Sequence, residues 1–482
     1  MIIIKMKIQL LLFACIIAVP STRSATDPDL ISWLPGLVKQ PSFNQYAGYL
    51  NASVNNKLHY WFVESQDSPK TDPLLIWFNG GPACSSLFGL LSENGPFLVN
   101  DDGVNLSYNP YSWNMKASVL YIESPPGTGF SYTVDGKLPS SDDQVTEDHY
   151  AAIMDFFSKH PTLLLPPLFL VGQSYAGVYL PLLAVKLQDV QGLNFQGLAV
   201  GSPCSNLKDL DNSLIYYAYH HGIFSQQLWT DLNKHCCNAE GTCNFHDNNK
   251  TSCVNSVGQA FYMINEIGIN PFNIYQDCAG GIPPPGKFHK KSPDGRYYYP
   301  GVFRHMYSKN PKLESWWKVL DQTPVNKLIV GIPCVNTSAI TSYLNNPYVK
   351  QALHVKDGLK DWKPYNPEVD QNFTRQYPDM SPTFLQILRT YKYRILVYSG
   401  DCDAVCNFLG NEWMVNNFGL EEEVQWRPWL YNPGTSDQIA GFVKEFSHIA
   451  FVTVKGAGHY APADRPGAMQ QLIYNFINKR PF

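Results

Sequence analysis

Residues 169–177 place a serine between an apolar run and a helical pattern, and this stretch constrains the fold more than any other segment. Residues 168–171 are long enough for a buried strand, and residues 178–187 carry apolar side chains at roughly helical spacing. Small residues around Ser174 allow a sharp turn, which lifts the hydroxyl above the sheet edge. The helix N-terminus behind it favours developing negative charge. An ordinary strand–helix turn that contains a serine also fits this pattern, so partners elsewhere in the chain must decide.

Residues 1–24 have the pattern of a secretory signal peptide. Lys5 and Lys7 give a positive start, residues 8–19 are mostly apolar, and residues 20–24 are small and polar. The apolar stretch is too short for a membrane span, and no later stretch reaches that length without charged or turn residues. We therefore expect cleavage near Ser24 or Ala25, entry into the secretory pathway and no membrane span.

Charge and cysteine content agree with a secreted globular protein. The net charge is −4 with acidic and basic residues interspersed, which predicts no nucleic-acid partner. Of the 11 cysteines, Cys15 leaves with the signal peptide, and in an oxidising compartment the others are disulfide candidates, not metal ligands. Five Asn-x-Ser/Thr sequences are candidate glycosylation sites: Asn51, Asn105, Asn249, Asn336 and Asn372.

A glycine pair follows another predicted strand. Residues 57–63, 74–78 and 119–123 are predicted strands, and the second runs directly into Asn79, Gly80 and Gly81. Glycines at a strand end leave backbone N–H groups exposed, and in a serine hydrolase such a loop can supply the second oxyanion donor. A simple Gly-Gly-Pro turn fits the same residues.

An acidic residue and a histidine each follow a later predicted strand. Asp403 comes after residues 394–398, and His459 comes after residues 450–454. The chain order Ser174, Asp403, His459 is the order of an α/β-hydrolase, unlike that of chymotrypsin or subtilisin. We therefore predict an α/β-hydrolase fold, with a mostly parallel central sheet flanked by helices and a catalytic serine.

The character of the chain changes from about residue 206. Residues 206–334 contain six cysteines, a triple proline at 283–285 and a basic run at 289–291. We predict a first part of the hydrolase core at 25–205, a disulfide-rich cap insertion at 206–334 with an exposed loop near 281–300, and a second part of the core at 335–482.

Motifs along nearly the whole mature chain together resemble the serine carboxypeptidases, and within them the cathepsin A group. The matching stretches are 77–86, 93–97, 123–125, 129–132, 172–177, 343–349, 400–407, 438–446 and 456–466. The resemblance implies an enzyme without metal or cofactor that releases C-terminal residues from peptides through an acyl-enzyme. It assigns the nucleophile to Ser174, the general base and acid to His459, and orientation of the imidazole to Asp403.

The resemblance also assigns the two binding sites for the substrate's polar groups. The oxyanion donors are the N–H groups of Gly81 and Tyr175. The free C-terminal carboxylate of a peptide substrate is assigned to Asn79, Gly80, Glu93 and Gln173. An amide such as that of Asn79 supplies N–H donors at any pH.

Three places depart from the family pattern without removing the triad. Ala83 replaces a glycine, and a positive φ there would cost about 1 kcal/mol or more. Gln173 replaces a glutamate that shares a proton with Glu93, so the acid preference of peptide hydrolysis is expected to weaken without vanishing. Residues 201–203, Gly-Ser-Pro, replace Gly-Asn-Gly. These changes are expected to alter rate and preference, not the reaction class.

The resemblance implies three disulfides in the insertion: Cys236–Cys253, Cys237–Cys243 and Cys278–Cys334. It also implies proteolytic cleavage in the 281–300 loop, with the two pieces held together by Cys278–Cys334. The family's partner for Cys84 is missing, since Tyr365 stands at its position. Four cysteines stay unassigned: Cys84, Cys204, Cys402 and Cys406. Cys84–Cys204 is one candidate pair. Cys406 matches a free thiol of the family.

Two other functions fit the same sequence. One is a weakly active, cathepsin A-like protein that mainly binds and protects lysosomal glycosidases. The other is a carboxypeptidase-like acyltransferase, which passes the acyl group to an alcohol. The resemblance further implies a possible homodimer and a lysosomal or extracellular location. A general lipase is disfavoured because it has no use for the carboxylate-binding residues.

Overall fold

The computed structural model of the chain describes residues 27–138, 141–265, 268–279, 281, 290–291, 297–298 and 334–482. The predicted signal peptide, and most of the predicted cleavable loop at 281–300, lie outside these residues. Across the described ranges, none of the helices has both the length and the apolar character needed to cross a bilayer.

A mixed β-sheet forms the centre of the described structure. The strands, in chain order, are β1 Gln45–Asn51, β2 Asn56–Val63, β3 Leu74–Phe78, β4 Phe97–Val99, β5 Leu106–Tyr108, β6 Ser118–Ile122, β7 Tyr132–Thr133, β8 Leu168–Gln173, β9 Phe195–Gly201, β10 Lys290–Lys291, β11 Tyr297–Tyr298, β12 Arg394–Gly400, β13 Glu422–Tyr431, β14 Gln438–Phe446 and β15 Ile449–Val454. The strand order in the large sheet is β1-β2-β6-β3-β8-β9-β12-β15-β14-β13, with β7 beside β2. β4 pairs with β5 and β10 with β11 in two small separate ladders.

The middle of the sheet is parallel and its edges are antiparallel. β6, β3, β8, β9, β12 and β15 run in one direction, and β1, β2, β13 and β14 add antiparallel strands at the two sides. All residues of β3, β6, β8 and β15 are buried. A parallel sheet covered on both faces reads as continuous apolar runs. That explains why these strands could be predicted from the sequence to within about three residues.

Helices cover both faces of the sheet. They are α1 Ser86–Ser92, α2 Asp142–Lys159, α3 Ala176–Leu187, α4 Leu207–His220, α5 Gln226–Cys236, α6 Thr251–Asn265, α7 Ser338–Leu344, α8 Pro347–Ala352, α9 Pro367–Asn372, α10 Ser381–Leu388, α11 Phe408–Asn416, α12 Ala461–Asp464 and α13 Pro466–Ile477, with 3-10 turns at Trp113–Met115 and Pro161–Leu164. α1 and α13 share one apolar cluster with Trp77 and Val171, whereas α2, α3 and α10 share another with Ile76 and Leu170. Alternate residues of each strand therefore face opposite layers. A mostly parallel sheet with helices on both faces confirms the predicted α/β-hydrolase fold.

The disulfides of the insertion are those that the resemblance implied. Cys236 is bonded to Cys253, Cys237 to Cys243 and Cys278 to Cys334. Cys236 and Cys253 join α5 to α6, which pack with α4 in a third apolar cluster.

The structure pairs two of the four cysteines that were left unassigned, and it rules out both the candidate pair Cys84–Cys204 and a free thiol at Cys406. Cys204 is bonded to Cys406, not to Cys84, and Cys406 is therefore not a free thiol. The physical reason is the packing of α4 on α11, which brings together the segments just before the two helices. Cys84 instead lies opposite Tyr365 in a backbone bridge, and among the described cysteines Cys84 and Cys402 are unpaired.

Candidate active site

Ser174 occupies a strained turn between β8 and α3. Its φ is +63°, in the left-handed region that non-glycine residues rarely adopt. The turn requires its small neighbours: a Cβ on Gly172 would lie 2.4 Å from the Phe78 carbonyl oxygen, and one on Gly177 would lie 2.4 Å from Ser205 Oγ. α3 begins at Ala176, so the positive end of that helix faces the serine.

Asp403 and His459 are in direct contact at the ends of β12 and β15. His459 Nδ1 lies 2.8 Å from Asp403 Oδ2, and both side chains are almost fully buried. The second carboxylate oxygen of Asp403 accepts a bond of 2.7 Å from the Val405 N–H. The aspartate is thus fixed on both oxygens, and His459 Nε2 is the ring nitrogen left to face a nucleophile.

Residues 272–276, part of the predicted insertion, hold the histidine loop in place. The His459 N–H donates to the Phe272 carbonyl oxygen at 2.6 Å, and the two rings are 5.4 Å apart. Asp464 of α12 accepts bonds from the Gly458 N–H at 2.6 Å, from Asn273 at 3.0 Å and from Gln276 at 2.7 Å. The Asp464 carboxylate therefore connects the loop before His459 to residues 273–276.

The glycine pair after β3 lies against the serine turn. A Cβ on Gly80 would come within 2.3 Å of the Tyr175 backbone nitrogen and 2.8 Å of Ser174 Cβ. Gly81 has a φ of +114°, and among the described residues no protein acceptor is bonded to the N–H of Gly81 or of Tyr175. Ala83 has a φ of +75°, so the strain expected for a side chain at this position is present.

Glu93, Gln173 and Asn79 lie together in one buried polar group. Gln173 Nε2 donates to Glu93 Oε1 at 2.7 Å, and the Asn79 side chain is close enough to lower the pKa of the same carboxyl group. Trp77 Nε1 donates to Asn79 Oδ1 at 2.6 Å and so turns the amide nitrogen of Asn79 towards Glu93. A Cβ on Gly89 would lie 2.4 Å from Trp77 Nε1, so glycine makes room for this contact.

Burial changes the charge state of Glu93. Desolvation raises the pKa of Glu93 to about 8, although the bonds from Gln173 and Asn79 act in the opposite direction. The group is therefore largely neutral in acid and near pH 7. A neutral carboxyl with an amide partner does not repel an anion, so this group suits the binding of a carboxylate.

A second buried hydrogen-bond network lies beneath Tyr175, next to the unpaired Cys84 and its bridge partner Tyr365. Tyr365 donates to Asp370 at 2.7 Å, Asp370 is ion-paired with Arg375 at 2.5 Å, and the Arg375 guanidinium lies 5.5 Å from the Tyr175 ring. The Tyr175 hydroxyl donates to Asp142 at 2.8 Å. Polar contacts thus hold in place the residue that follows Ser174.

The sequence-predicted site residues lie in two groups. One is Asp403 with His459, and the other joins Ser174 and Gly80 to the adjacent Gln173 and its partner Glu93. Trp77, Phe272 and Asp464 were not predicted as site residues. Trp77 and Asp464 lie within stretches that carried the resemblance, 77–86 and 456–466, whereas Phe272 lies outside all of them. All five candidate glycosylation sites have exposed asparagines.

A parallel sheet that carries a serine elbow on one strand and an Asp–His pair at the ends of two others is the arrangement of a serine hydrolase. The chain belongs to the serine carboxypeptidase family, whose sequence profile matches residues 35–479. It is a serine-type carboxypeptidase by that membership.

Its similarity to known proteins covers nearly the full length. It is 46% identical to the lysosomal protective protein of Mus musculus over 95% of this chain and 96% of that protein. It is 35% identical to a serine carboxypeptidase of Caenorhabditis elegans over 99% of both chains. Among solved structures, it resembles a prohormone-processing carboxypeptidase of Saccharomyces cerevisiae, with a TM-score of 0.67, 22% identity and coverage of 92% and 94%. The last likeness shows the fold alone.

Proposed function

We propose that the protein hydrolyses the last peptide bond of substrates that carry a free C-terminal carboxylate, through an acyl-enzyme on Ser174. Ser174 Oγ attacks the scissile carbonyl, and His459 Nε2 takes its proton and passes it to the leaving amine. Water then attacks the acyl-enzyme, with His459 again accepting a proton. Asp403 keeps the imidazole in the required tautomer and stabilises its charged form.

The oxyanion is assigned to the N–H groups of Gly81 and Tyr175. Support comes from the close approach of the Gly80 backbone to the serine turn and from the orientation of α3, whose positive end faces Ser174. Both N–H groups are available for a developing negative charge. Losing one such donor typically costs about 10²- to 10³-fold in rate.

The observation that carries the proposal is the buried Glu93–Gln173–Asn79 group next to the serine turn. Gln173 directly precedes Ser174, so a carboxylate bound to this group would lie near the bond that Ser174 attacks. Gly80 contributes a further candidate N–H. An endopeptidase or lipase needs no such anion site, whereas an exopeptidase that counts from the chain end does.

Two measurements test the proposal. A fluorophosphonate probe should label the protein and fail to label a Ser174→Ala variant. Blocked dipeptides with a free carboxylate should be cleaved with release of the C-terminal amino acid, and the same peptides with a C-terminal amide should be cleaved at least tenfold less efficiently. An unlabelled Ser174, or equal rates for acid and amide, would contradict it. Release of an ester in the presence of an alcohol would instead identify an acyltransferase.

A lysosomal role is favoured by one specific observation. The relative that is 46% identical is named a lysosomal protective protein, and its similarity spans 95% of this chain. We propose the secretory pathway with a lysosomal or extracellular end point, and association with lysosomal glycosidases as a second function. A Ser174→Ala variant should keep that association, since binding does not need the nucleophile. Co-purification of a glycosidase activity with wild type and variant measures it.

A further inference from the structure

The backbone of Ser174 is held from both sides by one short segment. The Ser174 N–H donates to the Gly201 carbonyl oxygen at 2.9 Å, and the Cys204 N–H donates to the Ser174 carbonyl oxygen at 3.1 Å. Because Ser174 has a φ of +63°, its conformation persists only where the surroundings fix it. Residues 201–204 therefore determine the position of the nucleophile.

The aspartate of the site is held by a second short segment. The N–H groups of Val405 and Cys406 point at Asp403 Oδ1, at 2.7 Å and 3.4 Å. The Cys406 carbonyl oxygen accepts a bond of 3.0 Å from Asn411 of α11. Residues 403–406 thus form a compact turn whose far end is anchored to a helix.

A disulfide joins these two segments next to the nucleophile. Cys204 and Cys406 are 202 residues apart in sequence and 5.3 Å apart between Cα atoms. Cys204 Sγ lies 3.8 Å from Ser174 Oγ, and both cysteines are buried. The bond closes a path that runs from Ser174 through Cys204 and Cys406 to Asp403 and so to His459.

We propose that the Cys204–Cys406 disulfide is a positioning element of this enzyme, which fixes the distance between Ser174 and the Asp403–His459 pair. This inference rests on the proposed function. Among the described residues, no other disulfide sulfur contacts Ser174 Oγ. Cys237–Cys243, for example, closes a short loop, and its Cys237 sulfur lies 3.6 Å from Asn233 Oδ1 of α5. Misplacing a catalytic group by about 1 Å can cost 10²-fold in rate. The disulfide therefore acts on turnover, beyond any contribution to stability.

The first test compares two double variants of the full chain. Cys204→Ala/Cys406→Ala removes the proposed positioning bond, and Cys237→Ala/Cys243→Ala removes a disulfide with no active-site contact. We expect the first variant to lose about 10- to 100-fold in kcat, with KM within about threefold of wild type. Its pH profile of ester hydrolysis should also move, since proton transfer from Ser174 to His459 depends on their separation. The control should keep both kcat and profile even where its Tm falls.

Wild-type turnover and pH profile in a folded Cys204→Ala/Cys406→Ala variant would overturn the proposal. So would peptide mapping that finds Cys204 or Cys406 as a free thiol in the wild-type protein. If fluorophosphonate fails to label wild-type Ser174, the proposed function falls; if labelling occurs and the variant behaves like wild type, only this inference falls.

A second measurement covers the case in which the variant does not fold. Native enzyme is treated with a water-soluble phosphine, which is oxidised to its oxide with oxygen from water while the disulfide takes up two electrons and two protons. Alkylation and peptide mapping then follow each cysteine over time. Loss of activity should track alkylation of Cys204 and Cys406, at a time when circular dichroism is unchanged. Activity that survives their alkylation, or tracks that of Cys237 and Cys243, would refute the proposal.

Discussion

At the scale of single residues, Gly80 leaves no room for a side chain beside the nucleophile. A Cβ there would lie 2.3 Å from the Tyr175 nitrogen, closer than any real contact, so the oxyanion loop and the serine turn would have to separate. We expect Gly80→Ala to fold and to lose about 10²- to 10³-fold in kcat, the typical loss of one oxyanion donor. Gly136→Ala is the control: the φ of Gly136 is +76°, so an alanine there is strained in its backbone, but its Cβ would meet no atom within 4 Å. Equal activity of the two variants would show that the loop tolerates displacement.

We expect Gln173 to determine the pH response of peptide hydrolysis. With Gln173 as partner, burial raises the pKa of Glu93 to about 8, so the group is largely neutral near pH 7 and repels a substrate carboxylate little. In a Gln173→Glu variant two carboxyls would meet at this distance, and as pH rises the pair would lose its first proton, which leaves a negative charge that repels the substrate carboxylate. We expect peptide kcat/KM to fall about tenfold more between pH 5 and 7.5 in Gln173→Glu than in wild type.

Two controls accompany that comparison. Gln173→Met cannot ionise, so it should keep the wild-type pH profile with a higher KM. Ester substrates without a free carboxylate should give similar profiles in all three proteins, because their rate depends mainly on His459. Superimposable peptide profiles for wild type and Gln173→Glu would show that residue 173 does not determine the pH response.

At the scale of elements, the predictable parts were those with local signals. β3, β8 and β15 are short apolar runs that end in glycine-rich turns, and the candidate site residues follow directly from them. The β13–β14 hairpin was not predicted as strands, since its pairing is interrupted by register shifts and many of its residues are exposed. The Cys204–Cys406 bond was missed because it depends on how α4 packs on α11, which no local pattern encodes.

The contacts of Asp464 with residues 273–276 were not predicted either, because no local pattern shows which distant segment a side chain meets, and they can be tested. Asp464 accepts three bonds that join the loop before His459 to Asn273 and Gln276. Asp464→Asn keeps the shape but replaces one acceptor oxygen by a donor and removes the charge, and hydrogen bonds to charged groups contribute about 1.5–3 kcal/mol. We expect about a tenfold loss of kcat with a smaller change in KM, measured on a blocked dipeptide. Asp361→Asn, at an exposed ion pair with Lys350, should leave both constants unchanged; an equal loss in the two variants would argue against a specific role for the link.

At the scale of the whole molecule, buried titratable groups shape how stability varies with pH. Burial raises the pKa of Glu93 to about 8 and that of Asp211 to about 6, the latter against the opposing effect of His246. Such groups stabilise the fold fully below their unfolded pKa, and this stabilisation is lost as pH rises through the folded pKa. Burial lowers the pKa of His149 to about 3, so its stabilisation is present above pH 6.5 and is lost as pH falls.

Because stability changes with pH in opposite directions for these groups, there is a pH range in which Glu93 contributes most of the change among the three. Between pH 6.5 and 8, His149 is neutral in both states and Asp211 is ionised in both, whereas Glu93 still binds a proton only when folded. Stability should therefore fall as pH rises through this window, by at most about 1.4 kcal/mol per pH unit from this group. Glu93→Gln cannot ionise and should flatten the decline. We expect the Tm of wild type to drop by several degrees more than that of the variant between pH 6.5 and 8 at constant ionic strength. Parallel Tm curves for the two proteins would mean that Glu93 does not carry this proton. A neutral Glu93 could then no longer explain the binding of a carboxylate at neutral pH.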